Sequence, residues 1–183
     1  SEVLKHVPAS VQEGGRRYYS ATNMREALLD AVDANHEQLQ ADVMGASWGE
    51  ALSLRGSALT RLGHLDDAVA AAQQAVDLAP RNVPYIEELA RCLDRSRQWK
   101  LALEYFQDAE NVTESDSAGD SPLADRATAL RGEGHVLVEM NRLDEAEADY
   151  EDALGIDPYD GEARAALARI ATLRQHDQPG DVK

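Results

Sequence analysis

The feature that most constrains this chain is a set of residues that recurs at fixed intervals. Gly56, Ala90 and Gly134 are separated by 34 and then 44 positions, and five further columns keep that register. Those columns are Leu59/Leu93/Leu137, Leu65/Trp99/Leu143, Ala68/Ala102/Ala146, Ala72/Phe106/Tyr150 and Ala75/Ala109/Ala153. An interval of 44 is 34 with ten residues inserted. One structural unit is therefore repeated three times along the chain.

Each unit has the pattern of two helices joined by a tight turn. In residues 127–158, apolar side chains fall on two stripes at helical spacing that meet at Asn141-Arg142. Gly134 and Ala146 lie where the stripes face each other, so the two backbones can approach closely. Pro158 ends the second helix, because proline has no N–H to donate. Such a hairpin cannot bury its apolar face alone and has to stack on its neighbours.

A 34-residue helix–turn–helix unit with a small residue, an alanine, an aromatic, an alanine and a closing proline resembles the tetratricopeptide repeat. The third unit matches best, through Gly134, Ala146, Tyr150, Ala153 and Pro158. The resemblance implies an all-α fold, a right-handed superhelical solenoid of antiparallel helix pairs with a C-terminal capping helix. It predicts second helices near 65–79, 99–111 and 143–156, and no β-sheet.

The repeat register divides the chain into predicted segments. They are a tail at 1–10, a degenerate repeat or helical cap at 11–48, repeats at 49–82, 83–116 and 127–160, an insertion at 117–126, a capping helix at 161–176 and a tail at 177–183. Residues 24–36 have an amphipathic helical pattern, and the pattern is helical almost throughout 37–62. Asn82 with Pro84, and Ser121 with Pro122, have the pattern of helix starts. We expect 113–120 to be a mobile surface loop.

The negative net charge of the chain disfavours several classes of partner. The net charge of −16 disfavours nucleic acids and anionic membrane surfaces. No apolar run is long enough to span a membrane, and nothing at the start resembles a signal peptide, so we expect a cytoplasmic protein. Lysine occurs only at positions 5, 100 and 183. Adaptation to high salt and a GC-rich bacterial genome are both open as explanations.

No catalytic constellation is visible in the sequence. It has no glycine-rich phosphate loop, no nucleophile elbow and no paired-cysteine motif. The single cysteine, Cys92, follows a helical pattern and is expected to be a small packed side chain. His135 and Glu139 stand one helical turn apart, but a third metal ligand is missing. We therefore predict no enzyme activity, no cofactor and no metal.

Arginines and a histidine recur on the first helices of the repeats. Ser57, Arg91, His135 and Arg169 occupy one column at intervals of 34, 44 and 34. The family resemblance implies that first helices line a concave groove, whereas the acidic second helices form the convex side. The candidate partner-binding residues are Arg91, Arg95, Arg131, His135 and Arg169. The alternative, an ordinary solvated helix face, is equally compatible with the pattern.

Some members of the family clamp the C-terminal carboxylate of chaperones with lysine, asparagine and arginine on the first helices. The corresponding positions here are Ser53, Ser57, Glu88, Thr128 and Gly132. None of these can act as the clamp requires, so the resemblance does not extend to that ligand.

Two functions remain open. The leading hypothesis is a non-catalytic interaction module, an adaptor or scaffold that holds a peptide or helix of a partner protein in the groove. The alternative is a structural or assembly subunit that forms a homo-oligomer through its end faces or its loop. Under the first hypothesis, reversing the charge of Arg91 and Arg131 abolishes binding and leaves the melting temperature nearly intact.

Overall fold

The computed structural model describes residues 12–13, 16–21, 40–45, 47–115 and 122–177. These residues form seven helices: α1 (Ser47–Leu62), α2 (Leu65–Leu78), α3 (Val83–Arg95), α4 (Trp99–Ser115), α5 (Pro122–Glu139), α6 (Leu143–Ile156) and α7 (Gly161–Asp177). The second helices α2, α4 and α6 confirm the predicted positions, although α4 continues four residues further. The chain forms two compact units, residues 1–98 and 99–183.

The first unit packs α1 against α2 at small residues. A Cβ atom on Gly56 would lie 3.3 Å from the carbonyl oxygen of Ala68 and 3.3 Å from the Cβ of Ala72. Ala68 and Ala72 are fully buried. The small residues of the repeat therefore allow the close approach of the helices that the sequence predicts. Helix α3 packs against both α1 and α2. It begins as expected, with the Oδ1 atom of Asn82 accepting from the Tyr85 N–H at 3.1 Å and with proline in the first turn.

The same packing occurs in the second unit, where α5 lies against both α4 and α6. Gly134 on α5 faces the ring of Tyr150 on α6, and an added Cβ would lie 3.0 Å from that ring. Helix α7 packs on α6, and its Ala163 and Ile170 are both buried. The start of α5 at Pro122 confirms the prediction from the Ser121-Pro122 pair.

A small sheet in the first unit corrects the sequence prediction. Strands β1 (Gln12–Glu13) and β2 (Arg16–Ala21) pair antiparallel, and β2 pairs parallel with β3 (Gln40–Gly45). The expectations of no β-sheet and of helix throughout 37–62 are therefore wrong for these residues. The Tyr18-Tyr19 pair favours a strand, and a six-residue run such as 40–45 is too short for its period to separate strand from helix. The helix predicted at 24–36 lies outside the described residues.

The loop expected at 113–120 begins later than predicted. Residues 113–115 belong to α4, where Thr113 is buried and its Oγ1 donates to the carbonyl of Ala109 at 2.8 Å. Residues 122–126 belong to α5. The expectation of a mobile loop beginning at residue 113 is wrong, because Thr113 is buried within α4 and its hydroxyl has a hydrogen-bond acceptor there. Residues 116–121 lie outside the described residues.

The turn between paired helices repeats in its backbone geometry as well as in its sequence. Gly63, Arg97 and Asn141 occupy one repeat position, and all three have positive φ, at 79°, 61° and 59°. After each, the next backbone N–H bonds to the carbonyl of the leucine five residues earlier. This is the hydrogen-bond pattern of a helix that ends in a left-handed residue.

Replacing Arg97 with glycine should stabilise the protein by about 0.5–1 kcal/mol. A left-handed backbone places the Cβ of an ordinary residue close to a carbonyl oxygen, and glycine avoids that contact at some entropic cost. Asn141→Gly is the matched control, and it should gain less because asparagine tolerates this conformation. Urea unfolding measures both variants. A destabilised Arg97→Gly protein would contradict the explanation.

Candidate binding surface on the first helices

In the first unit, the polar side chains between α1 and α3 bond to one another. The Oγ atom of Ser57 donates to the Oε1 atom of Glu88 at 2.6 Å. Arg91 lies 3.3 Å from the Oε2 atom of Glu88 and 3.4 Å from the Oε2 atom of Glu87. Glu87 and Glu88 are both buried. Arg91 is thus bound by carboxylates of its own helix, whereas Arg95, one turn later, is exposed.

Cys92 lies on α3, one turn after Glu88, and is fully buried. Its Sγ atom is 3.3 Å from the Oγ1 atom of Thr60. Burial raises the pKa of the thiol to about 11, so it stays protonated near neutral pH. A thiol in this state is a poor nucleophile, which agrees with a packing role.

In the second unit, Arg131 connects α5 to the start of α7. Its Nη1 atom lies 2.6 Å from Asp160 and its Nε atom 3.1 Å from Glu162. Asp160 also accepts from the backbone N–H groups of Glu162 and Ala163, at 2.8 and 3.0 Å, and so caps α7. Burial acts to raise the Asp160 pKa, but the Ala163 N–H and the Arg131 guanidinium outweigh it and lower that pKa.

A second ion pair joins the same two helices further along. The Nη2 atom of Arg169 on α7 lies 3.5 Å from the Oε1 atom of Glu139 on α5. His135 is exposed and stands one turn from both Arg131 and Glu139, a spacing that places the three on one side of α5. We call these residues, with Asp160, Glu162 and Arg169, the α5–α7 polar face.

The predicted binding residues therefore fall into two groups. Arg131, His135 and Arg169 come together on the α5–α7 polar face, and Arg91 and Arg95 lie on α3 in the first unit. Asp160 was missed by the sequence analysis. The Asp160-Gly-Glu sequence after Pro158 carries a capping signal that could have identified it. The structure also changes one expectation, since Arg131 bonds a buried carboxylate and its reversal should reduce stability.

Two of the positions that correspond to the chaperone clamp are occupied by local contacts. Ser57 and Glu88 bond to each other. At Gly132, an added Cβ would lie 2.3 Å from the Cε1 atom of Phe106, so a longer side chain would require the ring to move.

Within the described residues, no group of three or more His, Cys, Asp or Glu side chains is placed to hold a metal ion. No helix among them is long and apolar enough to cross a membrane.

Comparisons with known proteins agree with the geometry. Models of the tetratricopeptide repeat family match residues 49–82 and 132–160. No curated protein matches the sequence. Among solved structures, the Sgt2 tetratricopeptide domain from Aspergillus fumigatus is similar, with a TM-score of 0.61 and 19% identity, covering 74% of this chain and 87% of that one.

Two similar structures contain bound peptides. One is the first tetratricopeptide domain of Spaghetti (RPAP3) with the HSP90 peptide SRMEEVD, with a TM-score of 0.59 and 21% identity, covering 69% of this chain and 93% of that one. The other is the second such domain of human RPAP3 with the HSP70 peptide SGPTIEEVD, with a TM-score of 0.55 and 16% identity, covering 67% and 98%. The family resemblance and the predicted fold class are therefore confirmed: residues 49–82 and 132–160 match tetratricopeptide repeats, and the helices have the fold of these domains. That α7 acts as a cap remains a prediction.

Proposed function

We propose that this protein is a non-catalytic interaction module, an adaptor or scaffold in the cytoplasm that holds a peptide or helix of a partner protein along its first helices. The two peptide-bound structures of the same fold support this class of function. The contact residues we assign are Arg91, Arg95, Arg131, His135 and Arg169, along the groove that the family resemblance implies.

The observation that carries the proposal is the α5–α7 polar face. In a chain with a net charge of −16, it presents two arginines and a histidine beside three carboxylates. The two arginines of this face differ in how accessible they are to a partner. Arg131 is bound by Asp160, which is buried, whereas the Arg169 side chain is 57% exposed and its pair with Glu139 is long. A partner carboxylate should therefore bind Arg169 before it competes for Arg131.

The partner we infer is an apolar segment with one or two carboxylates. An acidic ligand is repelled by most of this protein's surface, so the arginine-bearing faces are its favourable landing sites. Each exposed ion pair contributes little, and affinity should be modest and sensitive to salt.

The first test of this function is titration of the partner segment, identified by affinity capture and mass spectrometry, into wild type and Arg169→Glu. Binding should weaken about tenfold or more in the variant. Arg164→Glu is the matched control, since Arg164 is an exposed arginine of the same helix that contacts the Pro158 carbonyl instead of α5. Equal affinities for all three proteins would show that the partner segment does not bind at this face. A molecular mass that rises with concentration in light scattering would favour the alternative of a self-associating assembly subunit.

The chaperone peptide SRMEEVD should not bind. In this chain the clamp positions hold Ser53, Ser57, Glu88, Thr128 and Gly132. Glu88 bonds to Ser57 and Arg91, and a carboxylate at this position repels the carboxylates of the peptide. Calorimetric titration at low salt should give no heat of binding up to millimolar peptide. Micromolar affinity would show that the exclusion drawn from these residues is wrong.

A further inference from the structure

We propose that the second unit contains a proton-operated device, in which Glu133 and Asp149, beside the carboxylate of Glu110, bind protons in the folded state and lose them as pH rises past neutral, which loosens the packing of α5. We call these three residues the carboxylate cluster. It lies outside the proposed binding face, and its operation does not depend on what the protein binds.

The geometry of Glu133 is the first reason. This glutamate lies on α5 and is only 6% exposed. Its Oε1 atom is buried and accepts no hydrogen bond from the protein, while Gln107 on α4 donates to the side chain. The Oδ2 atom of Asp149 on α6 is likewise buried without a hydrogen bond. A buried, unpartnered carboxylate oxygen is unfavourable when charged and can carry a proton instead.

The charges that surround Glu133 are the second reason. Glu110 faces it from α4 and Asp149 faces it from α6, so carboxylates from three helices converge. Two arginines lie near the cluster: Arg126 is 3.0 Å from Glu110, and Arg142 bonds Glu145 through two nitrogens. Asp152 and Glu145 add negative charge near Asp149. On α7, Glu162 pairs with Arg131 and Arg169 with Glu139, both of α5, and Arg174 pairs with Asp144 and Glu147 of α6.

The pKa shifts have the direction that this arrangement requires. Burial, followed by the charges of Asp149 and Glu110, raises the pKa of Glu133 to about 7. Burial and the charges of Glu110, Asp152 and Glu145 raise the pKa of Asp149 to about 6, against the opposing charge of Arg142. Between the ordinary carboxyl pKa and these values, the folded state binds more protons than the unfolded chain. Stability must therefore fall as pH rises through this window, and it levels off above about pH 8.

Thermal unfolding of the full chain between pH 6.0 and 8.5 at constant ionic strength tests the proposal. The melting temperature of the wild type should fall by roughly 5 °C over this range. Glu133→Gln, which cannot lose a proton, should flatten the dependence and melt above wild type at pH 8.5. Glu151→Gln is the matched control, because it removes the same charge from an exposed position on α6. The melting temperature of this control should fall with pH as steeply as that of the wild type.

Two results would overturn the proposal. One is a Glu133→Gln protein whose melting temperature depends on pH as steeply as that of Glu151→Gln. The other comes from the wild type alone, which keeps the test independent of whether the variant folds. In a carboxyl NMR titration of the wild type, the midpoint for Glu133 should lie near pH 7. A midpoint near its ordinary pKa of 4.5 would contradict the proposal.

Discussion

Replacing Phe106 with alanine should lower the free energy of unfolding by about 3–5 kcal/mol, the usual effect of removing a buried aromatic ring. Phe106 is only 3% exposed, and its ring lies against the backbone of α5 at Gly132. The substitution leaves a cavity between α4 and α5, which pack closely in the second unit. Urea unfolding followed by circular dichroism measures the change.

A double-mutant cycle with Gly132 tests whether that contact is the cause. In the wild type, Gly132→Ala should be destabilising, because its Cβ would lie 2.3 Å from the ring. In the Phe106→Ala background the methyl group has room, so the penalty should shrink or reverse, with a coupling energy of about 1–3 kcal/mol. Gly155→Ala on α6 is the control, since nothing lies within 4 Å of its Cβ position. It should stabilise slightly. Additive effects of Phe106→Ala and Gly132→Ala would contradict the packing described here.

Replacing Arg131 with glutamate should have the second large effect. It should lower the free energy of unfolding by about 3 kcal/mol. The Asp160 side chain is only 5% exposed, and the substitution replaces its guanidinium partner with a like charge beside Glu162. Breaking a buried pair in this way leaves an uncompensated charge in a poorly solvated site. The capping bonds from Asp160 to α7 should weaken at the same time, so hydrogen exchange should increase most at the start of α7.

Arg169→Glu provides the comparison for this loss. Arg169 pairs with Glu139 on the same face, but it is largely exposed and the two atoms are 3.5 Å apart. Exposed pairs of this kind contribute about 0–1 kcal/mol. If Arg131→Glu proves no more destabilising than Arg169→Glu, the buried contact with Asp160 does not anchor α7.

The helices could be predicted from sequence because the repeat supplies the same information three times. A weak apolar stripe becomes convincing when Gly56, Ala90 and Gly134 hold one register, and the turns at Gly63, Arg97 and Asn141 follow from it. The strands at 12–45 have no such repetition. A two-residue and a six-residue strand carry too few periods to outweigh a helical pattern.

The candidate site could be predicted only as a set of positions. Spacing places Arg131 and His135 on one side of a helix, but it does not say which carboxylates face them. That depends on how far α7 is displaced along α5, and the displacement brings Asp160 to Arg131 and Glu139 to Arg169. The carboxylate cluster was missed for the same reason, since Glu110, Glu133 and Asp149 are brought together only by the packing of three helices.

Photo-cross-linking from both sides of the repeats tests the central claim, that a partner segment lies along the first helices, most directly. A benzophenone side chain would replace Arg95 on α3, Arg169 on α7 and, as the control, Asp152, an exposed residue of the second helix α6. In a native lysate, the positions at 95 and 169 should cross-link to one and the same partner segment, and position 152 should give no cross-link to it. Cross-linking of that segment from position 152 with equal or higher yield would place the binding site on the second helices and contradict the proposal.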